Sequence, residues 1–150
     1  MVSSSADGVC LVWDLRTRVA VQKLSGHTAG VSSVAAFPGS AAFCSAGDDG
    51  VCCLWDLRMA TVLCENRAGS PGARVRHGFT ACGFTSSGAI SIAACDDGAV
   101  YGWETLSTAG NRGPAWTLRG HTNRVSCMKV APNGQALASG SWDNLVMLWC

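Results

Sequence analysis

A histidine, a serine and an aspartate recur twice in this chain at one spacing: His27, Ser45 and Asp49, then His121, Ser139 and Asp143. Taken singly, such a set could build a hydrolase triad, in which a carboxylate orients an imidazole and the imidazole takes a hydroxyl proton. Two copies at identical spacing argue against that chemistry, because a catalytic site is not ordinarily duplicated within one domain. Neither set is accompanied by a nucleophile elbow or a glycine-rich phosphate loop. Each is followed at one fixed distance by a tryptophan, Trp55 or Trp149.

Other chemistry is thinner still. The 9 cysteines are odd in number and mostly lie inside apolar runs, so they read as small buried hydrophobes and not as a disulfide framework. No Cys-x-x-Cys pair occurs, and the 3 histidines keep no spacing against a cysteine pair, so no metal site is expected. Asp7, Asp48, Asp49, Asp96, Asp97 and Asp143 fall in turns, while Asp14, Asp56 and Glu104 follow tryptophans. Glu65 alone is left over, too little for acid–base work by paired carboxylates. Neither a catalytic residue nor a cofactor is therefore expected. The loop holding Arg74, Arg76 and His77 reads either as an anion or partner contact or as a solvated connection. Trp142 stands apart. It takes a turn position held by Asp48 and Asp96 in the neighbouring repeats, so the repeat itself does not require an aromatic, and an exposed turn tryptophan is a candidate binding anchor.

These residues are carried by four stretches of one design, each with an aspartate in a turn, an apolar run and a closing tryptophan: residues 7–13, 49–55, 97–103 and 143–149. Asp-Gly suits the positive φ of a tight hairpin, and the Val, Leu, Cys and Trp behind it favour extended chain, so each stretch is one turn and one strand. The apolar residues run almost without alternation, which predicts strands covered on both faces, as in a stack of small sheets. The tryptophans recur about every 45 residues, the period of a four-strand β-propeller blade. The pieces are residues 1–24, 25–65, 78–119 and 120–150.

In the first piece the tail of one strand precedes a strand ending at Trp13-Asp14 and an outer strand near Val19 to Leu24. Predicted strands in the second are Val31 to Phe37, Ala41 to Ala46, Val51 to Leu57 and Thr61 to Cys64. The third holds Phe79 to Phe84, Ala89 to Ala94, Ala99 to Trp103 and Trp116 to Arg119, and the fourth Val125 to Val130, Ala136 to Ser139 and Leu145 to Trp149. Glu65 to His77 and Ser107 to Pro114 read as loops. The expected fold is all-β, about three and a half four-stranded blades in an open arc with unpaired edges at both ends.

Gly26-His27 with Trp55-Asp56, Gly120-His121 with Trp149, and Trp13-Asp14 resemble the tryptophan-aspartate (WD) repeats of β-propellers along the whole chain. Within that family the likeness is greatest to the C-terminal half of a heterotrimeric G protein β subunit. The residues 120–127 (GHTNRVSC) and 138–143 (ASGSWD) are similar to that subunit's final repeat, and Asp56-Leu57-Arg58 and Asp96-Asp97 fit it too. The resemblance implies that His27, Ser45, Asp49 and Trp55, and likewise His121, Ser139, Asp143 and Trp149, form structural hydrogen-bond networks tying loop, turn and strands together. Asp97 is expected to be less engaged, because Val75 and Ala93 occupy its histidine and serine positions. Gly30 stands where the family often has an acidic residue, and Cys150 replaces the usual terminal polar one. The helical N-terminal segment that holds a γ subunit in such proteins is not among these residues, so the likeness does not extend to γ binding.

Charge and hydropathy narrow the partners. A formal net charge of +1 makes no case for nucleic acid or an anionic membrane. Apolar runs fall far short of the ~20 residues that span a bilayer, and no signal-peptide pattern opens the chain, so direct membrane insertion is not expected and the expected compartment is the cytoplasm. The resemblance implies a non-enzymatic interaction scaffold for signal transduction, with Gα and effectors as partners and the cytoplasmic face of the plasma membrane reached through them. Trp142, with Asp48, Asp96 and Arg124 around it, marks the expected partner-binding face, where the loop before the inner strand and the turn after the second strand emerge together. The alternative is a WD-repeat scaffold in an unrelated multiprotein assembly.

Overall fold

The computed structural model describes residues 1–69, 77–105 and 113–150, and within them the only regular elements are β-strands. Val2–Ser4 (β1), Val9–Asp14 (β2) and Val19–Ser25 (β3) make one antiparallel sheet. Val31–Ala36 (β4), Ala42–Gly47 (β5), Val51–Asp56 (β6) and Thr61–Arg67 (β7) make the second. The third holds Phe79–Phe84 (β8), Ile90–Cys95 (β9), Ala99–Glu104 (β10) and Trp116–Arg119 (β11), and the fourth Val125–Val130 (β12), Leu137–Ser141 (β13) and Val146–Trp149 (β14). In all four, strands follow one another in chain order, and no sheet closes on itself. This is a partial, open WD-type propeller. No helix among the described residues is long and apolar enough to cross a membrane.

The turns explain the hairpins. Gly8, Gly50 and Gly98, one residue after the turn aspartates, adopt positive φ, as does Asn144 at the same place in the fourth repeat. Each aspartate then accepts from the backbone two residues on: Val9 N to Asp7 at 3.1 Å, Val51 N to Asp49 at 3.1 Å, Ala99 N to Asp97 at 3.0 Å and Leu145 N to Asp143 at 2.9 Å. Such Asx turns fix where each tryptophan strand begins.

The core lies between sheets. Cys10 and Leu24 of the first pack on Val31, Phe43, Val51, Cys53 and Trp55 of the second. Cys44, Ala46, Cys52 and Leu54, on the second sheet's other face, pack on Phe79, Ala93, Tyr101 and Trp103 of the third. Ile92, Ala94 and Val100 continue the pattern onto Val125 and Leu137 of the fourth. The inner strands β4, β8 and β12 each carry a bulge, at Ser32, Thr80 and Ser126. At two of these the hydroxyl bridges neighbouring sheets, Ser32 donating to the Phe79 carbonyl and Thr80 to the Val125 carbonyl, both at 2.5 Å.

Three expectations need correction. The outer strand predicted to stop at Cys64 continues to Arg67, so Glu65 and Arg67 are not loop residues. Its alternation holds it in the sheet: Asn66 turns inward to donate to Ser91 Oγ at 3.3 Å, while Glu65 and Arg67 pair outside at 3.1 Å. Coverage on both faces holds for β6 and β10 but not for β14, where Val146 and Leu148 are exposed. The second strand of the fourth sheet starts at Leu137 and runs to Ser141, two residues beyond the predicted end. Residues Arg74, Val75 and Arg76, and most of the predicted Ser107 to Pro114 loop, lie outside the described residues.

Candidate functional site

Two polar clusters deserve the name of candidate, and the structure gives them different characters. In the second sheet His27 Nδ1 lies 3.0 Å from Asp49 Oδ2, its Nε2 lies 2.7 Å from Ser45 Oγ, and Trp55 Nε1 donates to the same hydroxyl at 2.7 Å. The fourth sheet repeats it: His121 is 2.9 Å from Asp143 and 2.8 Å from Ser139, to which Trp149 donates at 2.8 Å. The glycine before each histidine is required by packing, since a Cβ on Gly26 or Gly120 would lie 2.8 or 2.9 Å from the tip of the Trp55 or Trp149 ring.

This geometry ties three segments and offers no nucleophile. Ser45 and Ser139 are buried, and each already accepts an indole N–H, so neither hydroxyl is presented to a substrate. Burial would raise the Asp49 carboxyl, yet donation from His27 and from the Thr28 and Val51 amides outweighs it and holds the group below the ordinary carboxylate range.

The third repeat departs from the pattern. With Ala93 where Ser45 and Ser139 stand, the Trp103 indole N–H has no acceptor among the described residues. Asp97, expected to be less engaged than Asp49, has no histidine partner among the described residues and is held from the strand side. Tyr101, on the strand that Asp97 leads into, donates to Asp97 Oδ2 at 2.5 Å, and Arg119 approaches the tyrosine oxygen to 3.4 Å. Burial pulls the Asp97 carboxyl up, and Tyr101 and the Ala99 amide bring it below the usual range. Tyr101 is the only tyrosine in the chain, four residues after the aspartate, which is the one signal in the sequence that could have exposed the substitution.

Two expected results follow from these networks. Ala93→Ser should give Trp103 an acceptor and raise stability by about 1 kcal/mol, the usual net value of a buried hydrogen bond, as read by urea unfolding. Asp49 and Asp97, lowered in the folded chain, bind fewer protons there than when unfolded. Their contribution is therefore complete above the ordinary carboxylate value of about 4 and is lost as pH falls through their depressed folded values. Urea midpoints should hold steady from pH 7 to about 5 and drop steeply below about 4.

The second cluster lies on the surface. Trp142 is 65 % exposed, and the Arg124 guanidinium sits 5.3 Å from its ring centroid in a cation–π contact. The backbone reinforces the pair, with Trp142 N donating to Arg124 O at 3.0 Å and Ser141 Oγ to Asn123 O at 3.0 Å. Asp48 and Asp96 make the corresponding backbone bonds in the sheets before it, to Gly30 O at 2.8 Å and Gly78 O at 3.0 Å. The three turns thus hold equivalent places on one edge of the arc. They also abut: Gly78 packs on Asp48, and Gly98, just past Asp96, packs on the His121 and Asn123 carbonyls. No hydrogen bond joins Asp48 or Asp96 to the Trp142–Arg124 pair among the described residues. His77, the one of the three loop residues Arg74, Arg76 and His77 that is described, faces Asp96 at 2.9 Å. A side chain at Gly30 would press on Asp48 and on the Ala6 backbone, at 3.2 Å from each.

Among the described residues no group of His, Cys, Asp and Glu has the geometry to hold a metal ion. The cysteines are free thiols, and burial, with Cys82 nearby, pushes Cys10 up to about 11. Cys44, Cys53 and Cys95 are raised further, chiefly by burial, so they are protonated and unreactive.

The WD domain, G-beta repeat family matches residues 18–56 and 112–150. The chain is 33 % identical to the lobster (Homarus americanus) guanine nucleotide-binding protein G(I)/G(S)/G(T) subunit beta-1 over an alignment of 187 positions, covering 99 % of this chain and 54 % of that protein. It is 31 % identical to the rice (Oryza sativa subsp. indica) guanine nucleotide-binding protein subunit beta over 150 positions, 99 % of this chain and 40 % of the relative. The Dictyostelium discoideum subunit beta is 44 % identical over 72 positions, 48 % of this chain and 20 % of its own. The chain spans about half or less of the length of the curated relatives it matches.

Proposed function

This chain belongs to the WD domain, G-beta repeat family, and from that premise we propose that it is a non-enzymatic protein-interaction scaffold that works in signal transduction as G protein β subunits do, docking a Gα subunit and effectors. The observation that carries the reading is the exposed Trp142, held in place by Arg124, on the edge that also bears Asp48 and Asp96. A rigid aromatic anchor within a charged and polar rim is the composition of an interaction hot spot. The sealed serine–histidine–aspartate sets support a scaffold over an enzyme, because their hydroxyls serve the fold. The place of action is the cytoplasm, at the inner face of the plasma membrane when a partner is anchored there. Holding a γ subunit is not part of this proposal.

Titrating the purified chain against a Gα subunit loaded with GDP, and then with a non-hydrolysable GTP analogue, tests the reading. Binding in the GDP state and release in the activated state are expected. A stable complex with an unrelated protein that ignores nucleotide, in the absence of any Gα binding, would instead favour a WD scaffold in another assembly.

A further inference from the structure

Asp48 marks one end of the second sheet, and the opposite end holds a hollow of about 200 Å³ on the face that packs on the third sheet. Among the described residues its lining includes Phe37, Ala42, Leu54 and Leu63, with the charged Asp56 and Arg58 beside them. Side-chain size accounts for the space. Leu54 pairs with Cys64, whereas at the matching place in the third sheet Gly102 pairs with Trp116, whose ring lies against the glycine. Cys64 is too small to fill what an indole fills there. Leu63 is the extra residue of a bulge between the Leu54–Cys64 and Trp55–Val62 pairs, and the bulge turns it out to 54 % exposure. Phe37 meets the Phe84 ring edge-on at a centroid distance of 5.0 Å, and a Cβ on Gly88 would lie 2.6 Å from it, so the third sheet holds this part of the lining in place before anything binds.

We propose that this hollow is a second protein-docking site, taking a partner segment in which a leucine, methionine or phenylalanine lies beside an aspartate or glutamate. Its volume falls below the roughly 300–1,000 Å³ of small-molecule sites and suits one apolar side chain of a protein. That side chain would cover Leu63 and the exposed rim of the hollow, removing apolar surface from water.

Charge selects the acidic neighbour. Arg58 is exposed and pairs with no acid among the described residues. Asp56 does not compete for it, because Asp56 Oδ1 is turned into its own turn, accepting from the Arg58 and Met59 amides at 2.7 and 3.3 Å. The guanidinium is therefore free to bind a partner's carboxylate through two parallel N–H donors. The whole length of β6 separates this site from the Asp48 turn, so occupying one edge leaves the other open.

Selection of a random peptide library displayed on phage against the native chain, after depletion on the Arg58→Glu, Leu63→Asp double variant, tests the proposal. Recovered peptides should set an apolar residue beside an acid. Fluorescence polarisation of such a peptide should show binding weakened about tenfold or more by Arg58→Glu alone, since like charges then face each other. Replacing the peptide's acid by lysine should reverse the preference, favouring the Arg58→Glu chain over the native one. Leu63→Asp should weaken both pairings. Circular dichroism melts establish that the variants are folded, and Leu63→Ser replaces Leu63→Asp if the latter is not. Recovery of basic or uncharged peptides alone, or of none, would overturn the proposal. So would affinity that is unchanged in the folded variants, or a lysine peptide that does not prefer the Arg58→Glu chain.

Discussion

Trp55→Ala is expected to remove about 3–5 kcal/mol of folding stability, the range for deleting a fully buried tryptophan. The ring stacks on Phe43 at a centroid distance of 5.9 Å, closes the space over Gly26, and donates to Ser45. Its removal opens a cavity in the seam between the first two sheets and leaves the buried Ser45–His27 pair without its indole partner. Single domains are stable by only about 5–15 kcal/mol, so the variant should lose much of its cooperative transition in urea. Trp13→Ala is the control, because that ring is half-buried where Trp55 is 2 % exposed. Equal losses from the two substitutions would mean that the seam does not hold the arc together.

Trp142→Ala is expected to leave stability within about 0.5 kcal/mol, since the side chain is exposed, while weakening Gα binding by about 2 kcal/mol or more, roughly thirtyfold in Kd. Arg124→Ala should weaken binding less, through freedom given back to the indole that its guanidinium covers. Calorimetric titration of the native and substituted chains measures both. Unchanged affinity in a folded Trp142→Ala chain would remove this edge from the binding account.

The strands were legible because two signals coincide, turn residues that permit positive φ and apolar runs that end in tryptophan. Glu65 to Arg67 escaped that reading because a polar triplet carries no apolar signal, while ladder pairing with Val51 to Cys53 and the bond from Asn66 to Ser91 keep it in the sheet. The spacing that sets His27 and His121 apart is visible in the chain, and their bonds follow from it. The engagement of Asp97 was hidden, because Tyr101 reaches it from the strand side and not from the loop where histidine stands in the other repeats. The exposure of Val146 and Leu148 was equally hidden, since an apolar run reads the same whether or not a sheet covers it. At the candidate face the chain displays a break in pattern, an aromatic where neighbouring repeats have aspartate. The stacking of Arg124 on that aromatic depends on side-chain direction, which spacing does not encode.

Hydrogen exchange of the chain with and without GDP-loaded Gα most directly measures whether partners bind through the edge built around Trp142. New protection should concentrate in amides of residues 122–124 and 141–144 and in the turns at Asp48 and Asp96. Protection confined to the outer strands β3, β7 and β11, with the Trp142 turn exchanging as in the free chain, would contradict binding through this edge.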